Sequence, residues 1–359
     1  MASQSRISHY DFHGIFRLTV QADTAKASRH FQEEYGHFAT DYLESPDLLV
    51  SVGASAFKSP RSGAPAREDA GWESEDRWLR ARERHKVATW RFDLHGLDQP
   101  TTRLRFQGGL FSLDYLQHYV EQIVRFKISQ RGFLLVHAGC VAGNGAAVLF
   151  PGRGHAGKTA LALQQVLAGR QFQSDDYTFL STTGETYAYP RRLHISEHID
   201  AVCPTALRQV GLQHKLAIKA KYLIYYLTLK YGDLSESLRL AELIPSAVVT
   251  NAARLRTVLF LSGVNGGELH GPRPLDHEEL VDQILEVNRY EATRFQRLLL
   301  HAQPNACLER PEAWFSRERE VLTRALRDIP GYAVDVPRQS AHPEATLEQL
   351  GRIVDQVLE

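Results

Sequence analysis

The chain has 359 residues, 43% hydrophobic and 23% charged, enough apolar material for about two globular domains. Lysine plus arginine (42) balances aspartate plus glutamate (42), so no global basic field speaks for a nucleic-acid partner or an anionic membrane. Cys140, Cys203 and Cys307 lie far apart without a CxxC pair, which excludes a disulfide scaffold. The longest apolar stretch, 133–150, is broken by His137, Asn144 and glycines and fails as a membrane span. The N-terminus has no secretory h-region, and the expectation is a cytoplasmic protein.

Residues 1–130 read as a mixed, irregular α+β region. Strands are expected at 16–20 and 48–52 with a polar helical stretch between them. Residues 58–76, rich in Ser, Pro, Gly, Ala and charge, read as a long exposed loop with a role in substrate recognition as the sharper alternative. The segments 87–94 and 102–106 alternate apolar with polar side chains as half-buried strands do, and 113–128 carries a helical stripe.

The centre, 131–265, changes character. Near-continuous apolar runs at 132–140 and 146–150 precede a glycine-rich turn, a helix at 160–167 and a strand at 171–174. A hairpin is expected from 177–180 and 186–189 around a Thr-Thr-Gly turn, a helix at 217–230 and a buried strand at 257–261. Residues 266–359 read as mostly helical (277–301, 311–327, 344–358) with one late strand at 331–336. Strand, loop, helix and strand in succession indicate an α/β core.

The glycine-rich turn is Gly152, Arg153, Gly154, His155, Ala156, Gly157, Lys158 and Thr159, a match to GxxxxGK[ST] with Ala160 opening the helix. Strand before and helix after are the context that motif requires. Glycines let successive backbone N–H groups converge on phosphate oxygens at a helix N-terminus, where the partial positive charge favours anions. Lys158 adds a mobile ammonium and Thr159 a hydroxyl able to ligate Mg²⁺. Asp175 and Asp176 follow after one helix and one short strand, and His137 sits on the run just upstream. If those strands are neighbours, all three side chains converge on the turn. Adjacent aspartates point to different sides, so one can serve a metal and the other an incoming hydroxyl.

In the order and spacing of His137, the strand–turn–helix unit and the paired aspartates, the chain resembles the HPr kinase/phosphorylase and phosphoenolpyruvate-carboxykinase-like superfamily. The resemblance is firm over 134–180. It implies an α/β core of that type, ATP and Mg²⁺ as cofactors, Asp175 as general base, and Asp176 beside the metal and His137. It also implies Lys158 and Thr159 as phosphate and magnesium contacts. The bifunctional HPr enzymes have Ser at the position of Thr159 and an acidic residue at that of Ala160, which turns the expectation away from HPr as acceptor.

Phosphoryl transfer is mostly positioning and charge neutralisation, so a second cation is expected beyond Lys158. Candidates are Arg153, the pair Arg191 and Arg192, and Arg254 or Arg256. Lys215, Lys219 and Lys221 form a basic helical surface. The expected activity is transfer of a phosphoryl group to a hydroxyl of a protein or peptide. A small-molecule hydroxyl kinase and a non-catalytic ATP-binding regulator remain alternatives.

Overall fold

The computed structural model describes residues 6–57, 72–75, 78–85, 88–109, 112–154, 156–195, 203–207, 210–227, 236–306, 309–338 and 340–358. The chain is a mixed α/β protein that divides into two compact units, Met1–Arg131 with Ala292–Arg317, and Gly132–Glu291 with Glu318–Glu359. Residues 266–359 thus contribute to both.

The first unit holds an eight-stranded sheet of β1 (Arg6–Phe12), β2 (Phe16–Ala22), β3 (Ala39–Thr40), β4 (Leu48–Val52), β5 (Trp72–Glu75), β6 (Trp78–His85), β7 (Ala88–His95) and β8 (Thr102–Gly108). Their order is β3-β1-β2-β4-β8-β7-β6-β5, with β2, β4 and β8 parallel to their neighbours in that trio. Alternation of apolar and polar residues gives β1, β2, β4, β7 and β8 one inward face. Against it pack α1 (Ala25–Tyr35), whose Tyr35 meets Tyr10 and Phe12, and α2 (Leu113–Ser129), whose Tyr115 stacks on Trp90 and Tyr119 leans on Phe92. Thr24 caps α1 by accepting from the Ala27 N–H at 3.2 Å.

Two expectations change here. The N-terminal region is a regular sheet, not an irregular one. Its strand β6 hides from a hydrophobicity reading because Glu83 occupies an inward position, where its carboxylate accepts from the Tyr119 hydroxyl at 2.7 Å. The expected loop 58–76 contains β5, which pairs antiparallel with β6; residues 58–71 and 76 lie outside the described residues.

The second unit is built on a nine-stranded sheet: β9 (Phe133–Val136), β10 (Ala138–Gly143), β11 (Ala146–Pro151), β12 (Gln171–Ser174), β13 (Thr178–Ser181), β14 (Glu185–Tyr187), β17 (Ala252–Val264), β18 (His270–Leu275) and β19 (Gly331–Pro337). A separate two-stranded sheet pairs β15 (Leu193–Ile195) with β16 (Glu236–Leu238). The main path runs β12-β10-β11-β17-β14-β13-β9, with β19 on β17 and β18 on β19. Helix α3 (Lys158–Leu167) packs Ala160, Leu161 and Leu163 into a core with Phe150, Phe172, Leu259, Leu261 and Val334. The hairpin expected around Thr-Thr-Gly is β13–β14.

Other boundaries move. The apolar run 132–140 is two strands that part at His137, because β9 pairs with β13 while β10 pairs with β11 and β12. The helix expected at 217–230 spans Leu212–Leu227, and 228–230 lie outside the described residues. The helix expected at 277–301 is two, His277–Glu291 and Thr293–Ala306, interrupted where the chain leaves one compact unit for the other. Among the described residues no helix is long and apolar enough to cross a membrane.

Candidate functional site

The strand pairings explain why distant side chains meet. Ser174 ends β12 opposite Cys140 on β10, and Thr178 opens β13 opposite Val136 on β9. The chain therefore crosses from one pairing to the other through Asp175, Asp176 and Tyr177, at the level where His137 separates β9 from β10. Ser174 and Thr178 hydroxyls both donate to the Ala138 carbonyl, at 3.3 and 3.0 Å, and lock the two breaks together. Gly139 lets them approach, since a Cβ there would lie 3.2 Å from the Asp175 carbonyl oxygen. Ala138 in turn pairs with Pro151, the last residue of β11, so the glycine-rich turn begins beside His137.

The turn is shaped by two of its glycines. Gly152 bridges to Leu261, where a Cβ would sit 2.5 Å from the Leu261 carbonyl oxygen. Gly157 precedes α3 with φ +89°, a backbone state that side-chain-bearing residues rarely adopt. The first-turn N–H groups of α3 have no acceptor within the helix and face the turn's concavity. His155 lies outside the described residues.

Lys158 is buried, and its ammonium donates to the Gly152 carbonyl at 2.8 Å, to His137 Nε2 at 2.9 Å and to the Arg153 carbonyl at 3.3 Å. Burial lowers its pKa, and Asp176, Glu291 and Asp175 oppose that by stabilising the ammonium. An Nε2 that accepts from lysine leaves the proton on Nδ1, which lies 3.3 Å from Asp176 Oδ1. His137 also has Glu291 Oε1 at 3.7 Å, the Tyr177 ring edge-on, and Asn288 Oδ1 accepting its backbone N–H at 3.0 Å.

The two aspartates have different surroundings. Asp175 is buried and accepts from the Thr159 hydroxyl at 3.2 Å. Loss of water and the neighbouring Asp176 charge push its pKa up to about 7, against the pull of the Thr159 hydrogen bond and Lys158. Asp176 keeps 35% of its side chain exposed and accepts from Arg191 Nη2 at 3.1 Å. Arg191 is itself buried between the Tyr177 and Tyr189 rings.

The structure thus brings together His137, Gly152, Lys158, Thr159, Asp175, Asp176 and Arg191. The Thr159 hydroxyl meets Asp175, while Asp176, expected beside the metal and His137, lies next to His137. Arg153 at the turn's edge pairs with Glu286 and lies over the Tyr290 ring at 5.2 Å. Arg192 turns away to the Ser237 carbonyl on β16. Arg254 and Arg256 are exposed on the first half of β17, where Arg254 is level with Ala146 at the opposite end of β11 from the turn. Sequence reasoning missed Asn288 and Glu291, which approach His137 from the end of a helix far downstream. An asparagine amid the apolar stripe of that helix was the only signal available.

The residues present suit a phosphate-bound Mg²⁺. Among the described residues no three His, Cys, Asp or Glu side chains form a metal cage. Thr159 and Asp175 offer one hydroxyl and one carboxylate, the sparse oxygen set Mg²⁺ uses when phosphates and water complete its shell. Compared with known proteins, the sequence matches no family model and no curated protein.

Proposed function

We propose that this chain is an ATP- and Mg²⁺-dependent kinase, with a nucleotide-binding core of the HPr kinase and phosphoenolpyruvate-carboxykinase type, acting on a hydroxyl of a protein or peptide. The observation that carries the reading is the convergence of Lys158, Thr159, Asp175, Asp176, His137 and Arg191 at the start of a helix entered through a glycine turn. A glycine-rich structural turn needs none of these charged groups, and burying them together costs free energy unless a ligand uses them.

ATP supplies the phosphoryl group, with Mg²⁺ screening charge on its oxygens. The turn's N–H groups and Lys158 hold phosphate oxygens, and Thr159 with Asp175 would hold the metal. Asp176, reachable from solvent, accepts the proton of the acceptor hydroxyl. Arg191 on Oδ2 fixes that carboxylate's direction, and His137 Nδ1 lies 3.3 Å from Oδ1. This division of labour reverses the one implied by resemblance. It is supported by the Thr159–Asp175 contact and by the greater exposure of Asp176 than of Asp175.

Mass spectrometry after incubation with ATP, Mg²⁺ and Ser/Thr peptides or hydroxyl-bearing metabolites tests the reading. Phosphopeptides are expected, and Lys158→Ala should lower turnover by at least about 10²-fold. Phosphorylated metabolites alone would move the assignment to a small-molecule kinase, and nucleotide binding without transfer would move it to a regulator.

A further inference from the structure

The outward face of the first unit's sheet is charged in a way the chain's overall neutrality conceals. Strand register places Arg80, Arg82 and Arg84 of β6, Arg91 and Asp93 of β7, and Arg103 and Arg105 of β8 on one face, opposite the face that packs on α2. Arg82 stands directly across from Arg91, and Asp93 lies across from both Arg80 and Arg105. Asp93 is buried beneath Arg80, Arg105 and Arg91, while Arg82, Arg84, Arg91 and Arg103 are exposed. Within these three strands the outward face thus sets six arginines against one acid; on the edge strand β5 both Glu73, opposite Arg80, and Glu75, opposite Trp78, share this face by register.

Two observations distinguish this face from an ordinary solvated sheet surface. Solvated faces mix charges of both signs, and like charges directly opposite across strands destabilise the pair. Of the aromatic residues of these strands, Trp90, Phe92 and Phe106 are buried on the other side and Trp78 shares the face of Arg80 by register, while the buried Phe57 ring lies under the Arg91 guanidinium, so guanidinium groups rather than open rings dominate the described part of this face. Guanidinium groups two residues apart along a strand are about 6.8 Å apart, the spacing of alternate side chains in an extended peptide. Their planar forks match carboxylates in bidentate geometry.

We propose that the outward face of β6–β8 is a docking surface for an acidic, extended polypeptide segment. Acidic side chains at alternate positions would fall over Arg80, Arg82 and Arg84 or over Arg103 and Arg105. The proposal stands apart from the phosphoryl-transfer reading, because binding at this face requires none of the residues around Lys158.

The test is fluorescence anisotropy of the full chain with a labelled deca-glutamate peptide, a labelled ten-nucleotide oligothymidylate and phosphatidylserine vesicles, at about 50 and 300 mM salt. The peptide is expected to bind at low salt and to weaken at least tenfold at high salt. The double variant Arg82→Glu/Arg103→Glu should weaken it at least tenfold at low salt, Arg82→Gln/Arg103→Gln by less, and Arg352→Glu, in the second unit, not at all. Circular dichroism confirms that each variant is folded, and the milder glutamine pair carries the test if charge reversal impairs folding. Absence of peptide binding, or binding unchanged in both double variants, overturns the proposal. Tighter binding of the oligonucleotide or the vesicles than of the peptide overturns the choice of partner.

Discussion

The two sheets spend their polar residues in opposite ways. In the first unit one face packs on the helices and the other carries exposed charges such as Arg82, Arg91 and Arg103 that meet solvent. In the second unit the strands around the glycine turn are buried, and the polar side chains there are held in close sets, among them Asn288 on the His137 backbone, Lys158 on His137 with Asp176 beside it, and Thr159 on Asp175. A buried network is worth more than its separate bonds and fails as a whole, whereas exposed charges are screened and nearly additive. Substitutions should therefore have large, coupled effects in the second unit and small, salt-dependent ones in the first.

The largest effect is expected at Asp176. Under the proposed reading, Asp176→Asn keeps shape and the contact to Arg191 but cannot accept a proton, and should lower turnover by about 10²–10⁴-fold while leaving nucleotide affinity near that of the parent. Steady-state kinetics beside equilibrium nucleotide binding decides. Should Asp176→Asn transfer normally while Asp175→Asn does not, the roles of the two aspartates return to the order the resemblance implies.

Asp175 gives the next effect, on stability. Burial and the neighbouring Asp176 push its pKa from the ordinary 3.8 up to about 7, so the folded state holds a proton that the unfolded state releases between those pH values. The residue's contribution therefore declines as pH rises from about 4 to about 7 and stays low above that. Asp175→Asn removes the burden of a buried carboxylate. It should stabilise the ligand-free protein by on the order of 2–4 kcal/mol at pH 8, and by much less at pH 4. Thermal unfolding of both proteins at the two pH values measures this; an equal gain at both would mean Asp175 does not titrate in that window.

Asn288 tests the network through a residue that touches no expected ligand. Asn288→Ala leaves the buried His137 N–H without its acceptor and should destabilise the protein by about 1–3 kcal/mol. It should also reduce turnover, because His137 loses its fixed position. Asn288→Asp, which keeps the acceptor, should recover part of the turnover.

What the sequence made legible follows from contiguity. The glycine turn, Lys158, Thr159 and the paired aspartates lie within one strand–helix–strand unit, and His137 stands out as the only polar residue in its apolar run. The assembly of these into one place depended on a register that no local pattern encodes: β9 and β10 diverge at His137 because their partners differ. Asn288 and Glu291 were invisible because their helix carries an ordinary amphipathic stripe, and its end at Glu291 has neither proline nor glycine to announce it. In the first unit, β6 was lost because an inward Glu83 broke the alternation that would have marked it.

The smallest predicted effect belongs to the open sheet. Arg82 and Arg91 are exposed and directly opposite on β6 and β7, so their guanidinium groups repel through solvent. Cross-strand pairs of this kind change stability by about 0.2–1 kcal/mol. Arg82→Gln should therefore raise the unfolding temperature slightly, with the gain largest at low ionic strength and fading toward 1 M salt, where the screening length is about 3 Å. Arg91→Gln should gain less, because the Arg91 Nε–H bond to Gln107 Oε1 at 2.7 Å and its position over the Phe57 ring are lost with the charge. A stabilisation by Arg82→Gln that does not fade with salt would point to packing rather than charge. A loss of stability would mean that Arg82 holds the sheet together, and the open face would then resemble the buried one more closely than the contrast between the two units allows.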